Sequence, residues 1–174
     1  ISGIEIASPD FVSQIMRTLD ETGADPHHLG IELTESSLVS TGMDIVGRMM
    51  RVQELGVKFS VDDFGTGYSS LNYLKSLPLH TLKIDRSFVN DINSGEDDVI
   101  LVDTIIMMAR NLGLEVIAEG VETERELVYL NHQGCFIYQG FYFSKPVEEK
   151  LFVKMLRQGR IQSEIKIPAE ISAL

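Results

Sequence analysis

The chain has 174 residues, 44% hydrophobic and 24% charged, a balance that excludes a disordered segment, a collagen-like repeat and a small disulfide scaffold. Fifteen Lys and Arg against 26 Asp and Glu give a formal net charge of −11, which argues against a surface that tracks DNA or RNA phosphates and means that an anionic substrate needs metal help. The single cysteine, Cys135, has no internal partner, and the richest apolar stretch, Val99 to Ala109, is broken by Asp103 and too short to span a bilayer, so a reducing cytoplasmic setting is expected.

Ile1 to Ile6 carry neither an initiator methionine nor a signal-peptide pattern, and the chain is read as a fragment. Ser8-Pro9-Asp10 supplies a cap, an N1 proline and an early acid for a helix carrying Phe11, Val12, Ile15, Met16 and Leu19 and closed by Gly23. Gly30 to Thr34 reads as a strand, and Ile45, Val46, Met49 and Leu55 mark a helix that ends at Gly56. The alternation continues: strand Val57 to Val61, short helix Ser69 to Lys75, strand Thr81 to Ile84, long helix Asp98 to Leu112 and strand Leu114 to Ala118. Thr123 and Glu126 form a capping box for a helix through Leu127 and Leu130, followed by strand Phe136 to Gln139 and helix Glu148 to Gln158. Arg160 to Leu174 is a tail without a clear pattern.

Strands separated by helices imply a parallel sheet, either an open doubly wound one or a (β/α)8 barrel. Polar residues sit at or near the C-terminal end of nearly every strand: Glu32, Asp62 and Asp63, Lys83 and Asp85, Glu119, and Gln139. Barrel enzymes build their sites there, whereas an open sheet concentrates ligand groups at one switch point. Such a barrel needs about 250 residues, so further strands are expected upstream. Glu32, Asp62, Asp63 and Glu119 are hard oxygen ligands of the kind Mg²⁺ or Mn²⁺ prefers, and four carboxylates gathered without a cation would repel. Two ions roughly 3.5 to 4 Å apart would clamp the attacking and leaving oxygens of a phosphodiester. Strand alternation puts Lys83 and Asp85 on one face, where the amine can hold a hydroxide or phosphate oxygen and Asp85 balances its charge.

The residues Glu32-Leu33-Thr34-Glu35-Ser36, Asp62-Asp63-Phe64-Gly65-Thr66-Gly67-Tyr68-Ser69-Ser70, Leu82-Lys83-Ile84-Asp85-Arg86-Ser87-Phe88, Ala118-Glu119-Gly120-Val121-Glu122-Thr123 and Gln139-Gly140-Phe141 occur in that order. The chain thereby resembles the EAL-domain family, from about Ile1 to Pro146. The resemblance implies an α/β fold of the (β/α)8 TIM-like barrel type and a cyclic-di-GMP phosphodiesterase that uses two Mg²⁺ or Mn²⁺ ions to produce linear pGpG. It implies Glu32, Asp62, Asp63 and Glu119 as metal ligands, with Asp62 bridging both ions. Lys83 would orient the nucleophilic water, and Glu122 and Gln139 would position water or the ligand network. Glu35 would steady the loop from Phe64 to Ser70, near a homodimer contact through the loop after Asp63. Phe141, like Tyr68, is a candidate for stacking on a guanine.

The Glu-Ala-Leu signature is absent from the chain, and the resemblance implies two further ligands upstream, a glutamate and an asparagine. Residues 1–158 are accordingly expected to be a partial EAL domain, from about the third barrel strand onward, with 159–174 as a tail. A barrel without its first strands exposes sheet edges, so the chain is not expected to fold well alone. Sensor or cyclase-type domains commonly accompany the family. The rival readings are a non-catalytic cyclic-di-GMP receptor or scaffold, which usually shows broken metal motifs, and an enolase-type Mg²⁺ barrel with Lys83 as base, which does not explain the motif order.

Other signals carry less. Gly65 to Ser70 begins like a dinucleotide fingerprint, but Ser70 stands where the last glycine belongs, and Asp63-Phe64-Gly65 lacks the other kinase motifs. His27-His28 reads as a solvated pair, Cys135 as a buried packing residue, and Met49, Met50, Met107 and Met108 as core or inter-helix filler.

Overall fold

The computed structural model of the protein describes residues 3–39, 44–67, 71–93 and 96–158. The elements run α1 (Gly3–Ala7), α2 (Phe11–Thr22), a 3₁₀ turn (Pro26–His28), β1 (Gly30–Thr34), α3 (Glu35–Val39), α4 (Asp44–Gln53), β2 (Lys58–Phe64), α5 (Leu71–Ser76), β3 (Thr81–Ile84), α6 (Arg86–Asp91), α7 (Glu96–Asn111), β4 (Glu115–Glu119), α8 (Glu124–His132), β5 (Ile137–Gln139) and α9 (Glu149–Gln158). The strands belong to one sheet in sequential order, the arrangement that helical crossovers between parallel strands produce.

The chain divides into two compact units, residues 1–83 with 108–116, and residues 84–107 with 117–174. In the first, β1 and β2 pair in parallel, with Glu32 opposite Ser60 and Thr34 opposite Asp62. Alternation along these strands buries Ile31, Leu33, Phe59 and Val61 on one face and leaves Glu32, Ser60 and Asp62 for the other. Burying four such side chains contributes about 1.5–3 kcal/mol each, which fixes the register and with it the face on which the acids emerge. Met49 and Val52 of α4 complete this core. Arg48 ties α4 to the end of α1 by donating to the carbonyl of Ile6 at 3.2 Å and to that of Ala7. In the second unit β4 and β5 pair in parallel, placing Glu119 opposite Gln139, over a core that includes Val102, Ile106, Ala118, Leu127 and Leu130.

Several expectations need correction. Helix α2 starts at Phe11 with Asp10 at its N-cap position. Ser8 keeps a capping bond one turn-step earlier: its hydroxyl accepts the Asp10 N–H at 3.4 Å and its carbonyl the Phe11 N–H at 3.1 Å, in a turn after α1, an element the pattern did not foresee. Strand β2 runs on through Asp62, Asp63 and Phe64 instead of ending at Val61. Strand β3 stops at Ile84, and Asp85 is the N-cap of α6, its carboxylate accepting the Ser87 N–H at 2.8 Å. Asp85 is therefore occupied with starting a helix instead of extending the strand face of Lys83. Met50 and Met107 are exposed, unlike the buried Met49. Ser69, Ser70, Tyr68 and the tail from Arg160 lie outside the described residues. Among the described residues, no helix is long and apolar enough to cross a membrane.

Candidate active site

In the first unit three motifs meet. The Lys83 ammonium lies 3.0 Å from Glu32 Oε1 and 3.0 Å from Asp62 Oδ1. Its side chain is only 7% exposed, so the charge is held away from water and two carboxylates compensate for its desolvation. Asp63 follows with φ of 54°, the left-handed region that a non-glycine residue occupies at a cost of order 1 kcal/mol. This breaks the alternation that would send consecutive side chains to opposite faces, and carboxylate oxygens of Asp62 and Asp63 lie within 4.8 Å of each other. With Glu32 they leave two formal negative charges in excess of Lys83.

Asp62 Oδ1 is buried and accepts no hydrogen bond among the described residues; Lys83 approaches it without hydrogen-bond geometry. A buried carboxylate oxygen that accepts no well-formed hydrogen bond, beside a second carboxylate and negative charge in excess of the one Lys83 ammonium, suits a hard divalent cation. Asp62, Asp63 and Glu32 are the residues of this unit that would hold one.

The segment after β2 is tied down by Glu35, at the start of α3. This carboxylate is buried and its Oε2 accepts the backbone N–H groups of Gly65 at 2.9 Å and Gly67 at 3.1 Å. Gly65 has φ of 100°, and a Cβ on Gly67 would stand 3.1 Å from the Glu35 carboxyl carbon. The glycines thus let the chain turn directly over the acid.

The second unit holds a cleft of about 820 Å³. Glu119, Glu122, Gln139 and Phe141 line it, together with Arg86, Ser144 and Lys145, and with Val147, Phe152 and Met155 on its apolar side. The polar wall is built from the segments that follow β4 and β5, laced by backbone bonds. Val121 N–H donates to the Gln139 carbonyl at 3.1 Å and Tyr142 N–H to the Val121 carbonyl at 2.9 Å. This approach requires glycine: a Cβ on Gly140 would lie 2.0 Å from the Val121 oxygen, and one on Gly120, at φ of 73°, 2.4 Å from Arg86 Cβ. Phe141 is exposed, with Lys145 Nζ 5.9 Å from its ring centroid, within cation–π range.

The remaining flagged residues lie apart from this chemistry. His27 and His28 are exposed beside Asp25. Cys135 is buried, and that burial pushes its thiol up to about 11, the condition of a packing residue and not of a nucleophile.

The profile of the EAL domain matches residues 1–146. The chain belongs to the EAL domain family. Among curated relatives, the EAL chain is 41% identical over 152 residues to the cyclic di-GMP phosphodiesterase NbdA of Pseudomonas aeruginosa, covering 87% of this chain and 19% of NbdA. It spans about a fifth of the length of the curated relatives it matches. Solved structures of EAL proteins share the fold, among them the following three. The P. aeruginosa MucR phosphodiesterase in complex with c-di-GMP superimposes with a TM-score of 0.82 at 38% identity, over 87% of this chain and 62% of that one. The EAL domain of Mycobacterium smegmatis DcpA gives 0.86 at 38% identity, over 92% and 72%. Klebsiella pneumoniae BlrP1, in a manganese and cyclic di-GMP complex, gives 0.73 at 32%, over 82% and 36%. The α/β fold expected from the resemblance, the TIM-barrel-like fold of EAL domains, is thus the fold of this chain.

Arg86, Ser144 and Lys145 join the cleft lining without belonging to the candidate residues that the sequence offers. Arg86 stands inside the Leu82-to-Phe88 motif, beyond the strand Thr81 to Ile84, and carries no sequence signal that points to the cleft. Ser144 and Lys145 lie beyond Gln139-Gly140-Phe141, where neither helical nor strand period flags them.

Proposed function

We propose that this EAL domain hydrolyses cyclic di-GMP to linear pGpG with two bound Mg²⁺ or Mn²⁺ ions. The observation that carries the reading is Lys83, buried and 3.0 Å from both Glu32 and Asp62, beside an Asp62–Asp63 pair suited to a divalent cation. The activity named for NbdA and the manganese and cyclic di-GMP complex of BlrP1 support it.

In this reading Glu32, Asp62 and Asp63 are ligands, and Glu119 is added to the set on the strength of its motif. Divalent ions held there would supply Lewis-acid charge that neutralises the phosphodiester and eases deprotonation of water. The Lys83 ammonium, faced by two carboxylates, donates to the attacking water or to a phosphate oxygen and fixes the line of approach. Glu122 and Gln139 orient water and ligand, and Phe141 offers an aromatic face to a guanine. Because pGpG carries a 5′-phosphate, the water oxygen bonds to phosphorus, the bond from phosphorus to the ribose 3′-oxygen breaks, and that oxygen takes up a proton. A homodimer formed through the loop after Asp63, a cytoplasmic location and accompanying sensor or cyclase-type domains belong to the same proposal.

The test is chromatography of cyclic di-GMP incubated with the full-length protein and Mn²⁺ or Mg²⁺, with a chelator control. Chelator-sensitive pGpG is expected. Tight binding of cyclic di-GMP without product would replace the enzyme by a receptor, and neither binding nor product from folded protein would defeat both.

A further inference from the structure

The segment between Glu119 and α8 carries two of the site residues named above, and its backbone is fastened to a buried acid outside the mechanism. Glu126 is 2% exposed. Its Oε2 accepts the backbone N–H groups of Glu122 at 2.7 Å and Thr123 at 2.9 Å, and its Oε1 accepts from Asn93 Nδ2 at 2.5 Å. The capping box of α8 explains only the bond to Thr123 and the return bond from the Glu126 N–H to the Thr123 hydroxyl at 3.3 Å. The additional bonds to Glu122 and Asn93 go further. Through them one carboxylate joins the helix after β4 to the backbone of a site residue and to the turn after α6.

We propose that Glu126, braced by Asn93, is a positioning residue that fixes the Glu119–Glu122 segment for metal and substrate. The inference rests on the functional reading of Glu119 and Glu122. Its physical basis is that two adjacent N–H groups directed at one buried oxygen leave the peptide planes at Glu122 and Thr123 little freedom. Site geometry must hold to a fraction of an ångström, and outer hydrogen-bond partners of metal sites change affinity or activity about 10–100-fold when removed.

The experiment compares Glu126→Met with Glu126→Gln in the full-length protein. Methionine keeps length and packing but accepts no such hydrogen bonds. Glutamine keeps an oxygen for the two N–H groups and presents its amide to Asn93, whose own amide can turn to accept it. Mn²⁺ binding is followed by electron paramagnetic resonance, alongside kcat, KM and thermal melting. For Glu126→Met the expected result is a Mn²⁺ half-saturation raised about 10-fold and kcat lowered 10- to 100-fold, with Glu126→Gln within about 3-fold of the wild type. A purely structural role would lower the melting temperature and leave the Mn²⁺ half-saturation of the folded protein unmoved. Folded Glu126→Met with wild-type Mn²⁺ binding and kcat overturns the inference. Should Glu126→Met fail to fold, Asn93→Ala, which alters only an exposed side chain, is read in the same way: a Mn²⁺ half-saturation raised about 3-fold supports the brace, and an unchanged one overturns it. A wild-type protein that neither binds Mn²⁺ nor hydrolyses cyclic di-GMP defeats the functional reading itself, a result distinct from unchanged variants of an active wild type.

Discussion

Glu35 Oε2 accepts the Gly65 N–H at 2.9 Å across the end of β2, so a buried acid from the motif after β1 holds the chain immediately after the Asp62–Asp63 pair. Removing the acid would leave the Gly65 and Gly67 N–H groups without their acceptor and open a cavity beneath them, costing about 1–3 kcal/mol locally. Glu35→Ala is therefore expected to lower phosphodiesterase activity at least 10-fold, with Gly65 and Gly67 exchanging their amide hydrogens much faster. Hydrogen-exchange mass spectrometry beside the activity assay checks both; unchanged exchange in that segment would contradict the role given to Glu35.

Gly140 and Gly30 make opposite demands. A methyl on Gly140 meets the Val121 backbone at 2.0 Å, while one on Gly30 meets nothing within 4 Å. Gly140→Ala must push apart the segments after β4 and β5, and a loss of about 3 kcal/mol or more is expected, against less than about 0.5 kcal/mol for Gly30→Ala. Chemical denaturation of the two variants decides; similar midpoints would contradict the close approach.

Much of this architecture was legible because each strand is short, apolar and bounded by turn residues. Gly30–Thr34 and Thr81–Ile84 occupy the ranges the pattern gives. Helices α3 and α6, of five and six residues, escaped because so short a segment shows less than two turns of period. For α6 a usable signal exists, since Asp85 two residues before Ser87 is a cap pattern, and it conflicts with strand alternation continued beyond Ile84. The candidate acids were legible by type and by place at strand ends. The partners of Lys83 were not, because they come from two other strands, and neither was Glu126, whose capping role was visible while its tie to Asn93, 33 positions earlier, was not.

Cys135 gives a pH dependence. Burial raises its thiol to about 11 from an ordinary value of 9.0, so the folded protein retains a proton that the unfolded chain sheds first. Its contribution to stability is complete below pH 9 and is lost as pH rises towards 11, about 1 kcal/mol being gone by pH 10. Denaturation midpoints of wild type and Cys135→Ala between pH 8 and 10.5 check this. The difference between them should shift against the wild type as pH rises, and a constant difference would contradict the buried thiol.

The central claim concerns Lys83. Replacing it with methionine keeps the stem and removes the ammonium between Glu32 and Asp62. The deciding measurement is pGpG formation from cyclic di-GMP by Lys83→Met beside the wild type, in the full-length protein with saturating Mn²⁺ and with folding verified by circular dichroism. The account expects wild-type turnover and a variant slowed about 10²–10⁴-fold that still binds cyclic di-GMP. A folded Lys83→Met protein producing pGpG at the wild-type rate would contradict it.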